Sequence, residues 1–210
     1  MPLFPNAFLP PVIPLLSRTM YKVGIPPTTF ATWDPATKNA SITLSGGNLV
    51  ATGPQNFASV RSTIGKSSGK YYWELTLTAD PASSSIIGLA DAGFDNANFP
   101  GNYANSISDQ FGGTQRNVGW GGGGAGGQPA FGVGDVLMFA VDFTNGFLWW
   151  GKNGTWTAND PTGTKAFSLT GGGGVTVYAA VDPFGATITA NFGQNAFSFS
   201  VPAGFNAGLF

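Results

Sequence analysis

The sequence predicts an all-β domain, a sandwich or a barrel, and three observations carry that expectation. Short runs rich in β-branched and aromatic residues recur along most of the 210 residues, several of them alternating with period two. Clusters of Gly, Asn, Asp and Pro punctuate the runs at short intervals. No amphipathic helix of ordinary length is legible between them.

The first 27 residues stand apart. Pro2, Pro5, Pro10, Pro11 and Pro14 favour an extended, polyproline-like arm. Between them lie Leu3, Phe4, Phe8, Leu9, Val12, Ile13, Leu15 and Leu16, far more apolar than a free segment in water. Such an arm either folds back on its own domain or lies in a groove of another subunit. Apolar segments of this kind mark contact surfaces, so the partner groove is favoured. A secretory signal is not expected, because a basic n-region is missing and the prolines break the helix of an h-region.

From Thr28 the pattern is β throughout. Ser-Ile-Thr-Leu-Ser at 41–45 alternates, Gly46-Gly47-Asn48 turns, and 49–52 returns. The run 70–78 alternates most clearly, with Tyr71, Trp73, Leu75 and Leu77 on one face and Tyr72, Glu74, Thr76 and Thr78 on the other. A short apolar strand is expected at 85–90. Two β-rich runs then flank Asn145-Gly146, the preferred pair of a type I′ hairpin turn, and a second pair, Asn153-Gly154, ends the return strand. Strands at 175–181 and 186–192 are joined by the turn cluster Asp182-Pro183-Phe184-Gly185. Two long stretches, about 91–116 and 120–134, are expected to be irregular.

Composition narrows the function. There are 9 Lys and Arg, 10 Asp and Glu, no Cys and no His. The basic residues form no run, which argues against a nucleic-acid partner. Without Cys and His there is no disulfide, no Cys–His or Ser–His nucleophile system and no imidazole base. Charged residues are 9% of the chain, against about 25% in ordinary soluble proteins, so Ser, Thr, Asn, Gln and Gly must cover the surface. No apolar run reaches the ~18 residues a membrane helix needs, so no membrane insertion is expected.

Several blocks, in this order, resemble the SPRY family. They are Gly69-Lys-Tyr-Tyr-Trp-Glu74, Gly88-Leu-Ala90, Gly134-Asp135 with Ala140-Val-Asp142, Gly146-Phe-Leu-Trp149, Lys152-Asn-Gly154 and Asn191-Phe-Gly193. Trp33-Asp34-Pro35 followed by Ile42-Thr-Leu-Ser45 resembles the strand that precedes many such domains. The resemblance implies an antiparallel two-sheet, concanavalin-like β-sandwich over 28–205, with a tail at 206–210. The block Trp149-Trp-Gly-Lys-Asn-Gly-Thr-Trp156, followed by Asp160-Pro-Thr-Gly163, is similar to SPRY-like modules of bacteriophage virion proteins. That implies a virion structural protein, such as a capsid decoration, fibre or tail-associated component. Its arm would meet capsid, neck or tail proteins in a homo-oligomeric or many-copy assembly, and its domain could serve host attachment. The alternative is a free adaptor or lectin-like module binding a peptide or glycan.

Little in the sequence offers chemistry. Glycosidases need two facing carboxylates, and Glu74 is the sole glutamate, with Thr76 and Thr78 suggesting that it faces outward. Asp142 lies in an apolar strand, where a buried carboxylate is held by turn donors. Asp91-Ala-Gly-Phe-Asp-Asn-Ala-Asn98 has oxygen ligands at calcium-like spacing but lacks a closing Glu, so Asx-turns fit it better. No lysine-serine or lysine-threonine pair and no helix follows Gly121–Gly124, so that run is not a phosphate cradle. The chain is therefore expected to be no enzyme and to need no cofactor and no metal. In SPRY-like domains partners are held by loops at one end of the sandwich. The matching loops here carry Phe99, Tyr103, Phe111 and Trp120, with Trp156 nearby, aromatics set among uncharged polar residues. The same rings could instead plug the end of the sandwich.

Overall fold

A computed structural model describes residues 29–81, 84–102, 106–110, 114–118, 130–157, 161, 167–168 and 175–210. The arm and the Gly121–Gly124 run lie outside the described residues. Fourteen strands are described: β1 (Thr43–Ser45), β2 (Val50–Thr52), β3 (Val60–Lys66), β4 (Lys70–Ala79), β5 (Ile86–Asp91), β6 (Ser106–Gln110), β7 (Thr114–Val118), β8 (Val136–Asp142), β9 (Phe147–Lys152), β10 (Thr155–Trp156), β11 (Phe167–Ser168), β12 (Val177–Asp182), β13 (Thr187–Asn191) and β14 (Asn206–Ala207).

They form two sheets. The larger runs β1-β2-β13-β4-β8-β9-β10, with β11 on β9 and β14 on β4, and the smaller runs β3-β12-β5-β6-β7. Pairing is antiparallel except for β14, which lies parallel to β4 through Asn206↔Tyr71 and Ala207↔Tyr72. The expected all-β, two-sheet sandwich is the observed one.

The pleat explains the core. Trp73, Phe139 and Trp150 sit side by side across β4, β8 and β9. Trp73 stacks on Phe139 at 5.3 Å between ring centroids, and Trp150 meets Phe139 edge-on at 4.9 Å. Leu75, Leu77, Ile188, Ala190 and Ala51 continue this inner face. Val177, Ala179, Val181, Ile87, Leu89 and Ile107 complete the core from the smaller sheet.

The larger sheet is covered outside as well. Phe197, Phe199 and Phe205 pack on its outer face against Tyr72, Trp149 and Trp156. Glu74 therefore faces outward, as its parity requires, yet it is buried. The alternation is right and the solvent exposure is not, because the segment 194–205 lies over that face.

Four further expectations are corrected. The stretch 91–116 is not irregular throughout, since it holds β6 and part of β7. The strand β3 was not anticipated. Its buried position Ser62 is polar and breaks the apolar alternation; the strand bridges Trp33 at that residue, and the serine hydroxyl donates to Ile64 O at 2.8 Å. Asn145-Gly146 does not form a type I′ turn, because Asp142 pairs with Phe147 across a four-residue loop and only Gly146 of that pair has positive φ. The type I′ pair is Asn153-Gly154, with φ of 49° and 85°, joining β9 to β10. Residues 206–210 are not a separate tail, because they hold β14 and the fully buried Leu209, and Ala31 N donates to Leu209 O at 2.7 Å.

Candidate binding surface

At the end of the sandwich where β4 finishes, three chain segments meet. They are the β2–β3 connection, the loop after β5 and the turn between β12 and β13. That last turn carries the chain from the smaller sheet to the larger one. Pro183 O accepts from Ala186 N at 2.9 Å, and Phe184 and Gly185 have φ of 44° and 87°, the geometry of a type I′ turn. A phenylalanine in left-handed backbone costs roughly 1 kcal/mol. Asp182 holds it there, accepting from Phe184 N at 3.0 Å. Gly53 N donates to Ala186 O at 3.2 Å, and a Cβ on Gly53 would come within 3.0 Å of Pro183, so glycine lets the β2–β3 connection lie on the turn.

The loop after β5 is tied down by amides. Ser59 N donates to Asn96 O at 2.9 Å, Asn39 Nδ2 to the same oxygen at 3.0 Å, and Asn96 Nδ2 to Thr37 O at 3.0 Å. Gly93 N donates to Asp91 and Ala97 N to Asp95, which makes the expected Asx-turns. Among the described residues no group of three or more acidic side chains could hold a metal ion.

These constraints bring three rings together. Phe57 lies 4.7 Å from Phe99 and 5.3 Å from Phe184, centroid to centroid. Phe99 is only 5% exposed, whereas Phe57 is 48% exposed. Among the described residues, Phe57 and Val133 (62% exposed) are the exposed large hydrophobics, and both lie at this end. Beneath the rings Asp182 is fully buried, and its Oδ2 has no hydrogen-bond partner among the described residues. Burial pushes its carboxyl up to about 7, against the opposing pull of the Phe184 and Ala58 backbone N–H groups.

Beside this surface, the segment 130–135 before β8 is clamped. Asp135 accepts from Gly132 N at 2.8 Å and Asn153 Nδ2 at 2.7 Å, and pairs with Lys152 at 3.4 Å. Lys152 also donates to Ala130 O at 2.6 Å. Burial raises the Asp135 carboxyl, but Asn153, Gly132 and Lys152 together outweigh it and hold it below the usual range.

The expected site residues are thus divided. Phe99 is at the surface's base, buried as a plug, and the ring it presents to solvent is Phe57. Trp156 is half-buried on the outer face of the larger sheet, edge-on to Tyr72 at 6.2 Å, and is not part of the cluster. Tyr103, Phe111, Trp120 and the arm residues lie outside the described residues. Phe57 and Phe184 were missed. Their signal was an aromatic inside each of two turn sequences, Gly53-Pro-Gln-Asn-Phe57 and Asp182-Pro-Phe-Gly185.

Asp142 and Glu74, outside this surface, are engaged structurally. Asp142 accepts from Asn145 N at 3.0 Å and Asn145 Nδ2 at 2.7 Å and pairs with Lys70 at 3.5 Å, as its place before a turn suggested. Glu74 accepts from Tyr72 Oη at 2.7 Å, Ser198 N at 2.8 Å and Phe199 N at 2.9 Å.

No family model matches the sequence, and no curated protein matches it. Solved structures do match the fold. The SPRY domain of human HERC1 superposes with a TM-score of 0.58 at 15% identity, covering 78% of this chain and 99% of that one. The TRIM65 PSpry domain gives 0.53 at 13% identity, covering 78% and 92%. Stonustoxin gives 0.52 at 19% identity, covering 78% of this chain and 27% of the toxin chain. The chain has the fold of SPRY domains.

Proposed function

We propose that the chain is a non-enzymatic protein-binding module and, more specifically, a structural protein of a bacteriophage virion. The arm at 1–27 anchors it in a many-copy assembly on the particle, with capsid, neck or tail proteins, and the surface around Phe57 takes a protein partner. The observation that carries the binding reading is the Phe57 ring, supported by Phe99 and Phe184, which is the exposed aromatic side chain among the described residues. The assignment to a virion rests on the apolar arm, the low charge and the Trp149–Trp156 block.

Light scattering on the full chain and on a chain beginning at Thr28 tests this. The full chain should assemble, and the shorter one should be a folded monomer. Two well-behaved monomers would remove the anchoring role and leave a free adaptor or lectin-like module.

A further inference from the structure

The geometry points to a specific occupant for the Phe57–Phe99–Phe184 surface: the proline-rich segment 1–27 of a second copy of this chain. The inference rests on the binding reading above and names its partner. Three clustered rings form the surface, with Pro183 in the adjoining turn. Gln55 and Asn56 are exposed beside Phe57 and carry amide donors. Rings flanked by donors are what polyproline segments dock against, because proline rings pack on aromatic faces and the backbone carbonyls of the extended helix are unpaired.

The segment has the matching chemistry. Pro2 and Pro5, and again Pro11 and Pro14, are three residues apart, one turn of a polyproline helix. Its apolar side chains, Phe4, Phe8, Leu9, Val12 and Ile13 among them, need burial. No charged side chain precedes Arg18, and none lies between Gly53 and Ser59, so contact along the β2–β3 connection buries no charge from either side.

The direction of the chain favours a second copy. Trp33 is bridged antiparallel to Ser62, Thr63 N donates to Thr32 O, and Phe30 meets Phe210, which in turn meets Tyr71. Traced backwards from Trp33, the chain therefore runs along β3 towards Lys66, to the end where β4 begins. Phe57 precedes β3 at the other end. The length of β3, about 23 Å, separates the two. The segment thus joins the sandwich at the end opposite the surface, so docking on its own domain requires it to double back over the full length of β3, whereas a neighbouring copy receives it head to tail.

The test uses the full chain with a benzoylphenylalanine photo-crosslinker at position 57, mixed as isotopically heavy and light protein. Heavy–light adducts joining position 57 to residues within 1–16 are expected. Phe57→Ser, and separately Pro11→Ala with Pro14→Ala, should each weaken self-association about tenfold or more, with near-ultraviolet circular dichroism unchanged. Adducts confined to single chains, adducts that avoid the segment, or unaltered association of both variants would overturn the inference while leaving an assembling full chain, and so the binding reading, intact. Two monomers in the truncation experiment would overturn both.

Discussion

Tyr72 donates its hydroxyl to Glu74 Oε1 at 2.7 Å, and both side chains are buried on the outer face of the larger sheet. Burial, then the hydrogen bond to and charge of Glu74, push the phenol well above its usual range. The same carboxylate accepts from the backbone of Ser198 and Phe199, so the one glutamate of the chain fastens the covering segment to the sheet. Glu74→Ala leaves three donors without an acceptor and should cost roughly 3–5 kcal/mol. Glu74→Gln, which keeps one acceptor oxygen, should cost roughly 1–2 kcal/mol. Urea denaturation gives both values, and a cost below about 1 kcal/mol for the alanine variant would show that the segment is held by its phenylalanines alone.

The contrast between Glu74 and Phe139 shows what was legible in the sequence. Period-two alternation places Trp73, Leu75 and Leu77 on one face, and that face is the core. Alternation reports direction and not cover, so it could not show that 194–205 returns over Glu74. The two Asn-Gly pairs make the same point. Both are turn sequences, but Phe143 N is drawn to Gly69 O at 2.9 Å and Thr144 Oγ1 accepts from Gly69 N at 2.8 Å, which opens the first pair into a longer loop. The cluster around Phe57 was not legible for a related reason. Its neighbours Phe99 and Phe184 come from distant turns, and only the folded chain brings them into contact.

Asp182 makes stability depend on pH. An ordinary Asp carboxyl ionises near 4, whereas this one is pushed up to about 7. Between those values the unfolded chain has released the proton and the folded chain still holds it, so stability falls as pH rises through the window. Asp135, held below its usual range, contributes in the opposite sense at lower pH. The difference between the native chain and Asp182→Asn isolates the first effect. The asparagine variant should gain on the native protein from about pH 4 to about pH 7 in denaturation midpoint and level off above that. Parallel curves across that range would mean that the carboxyl ionises at its ordinary value.

Gly154 carries two constraints and Gly134 one. Both have left-handed φ, 85° and 92°, but a Cβ on Gly154 would lie 2.9 Å from the Phe199 ring, while one on Gly134 meets open space. Gly134→Ala should therefore cost about 1 kcal/mol of backbone strain. Gly154→Ala should cost more, because Phe199 must shift while its backbone N–H stays bonded to Glu74. Equal costs in paired urea titrations would mean that the ring yields freely.

Phe184 separates stability from binding. Its backbone occupies a left-handed position that Asn tolerates far better than an aromatic residue, and Asn-Gly is the preferred pair for the type I′ turn it forms with Gly185. Its ring is half-buried and rests against Phe57, which is itself exposed. Phe184→Asn removes that support and relieves strain of about 1 kcal/mol, so thermal stability should hold or rise within about that amount. Self-association of the full chain should weaken, because Phe57 loses the ring that fixes its orientation. A loss of stability above about 2 kcal/mol would instead make Phe184 a core residue, and strain at this turn would then serve packing rather than recognition.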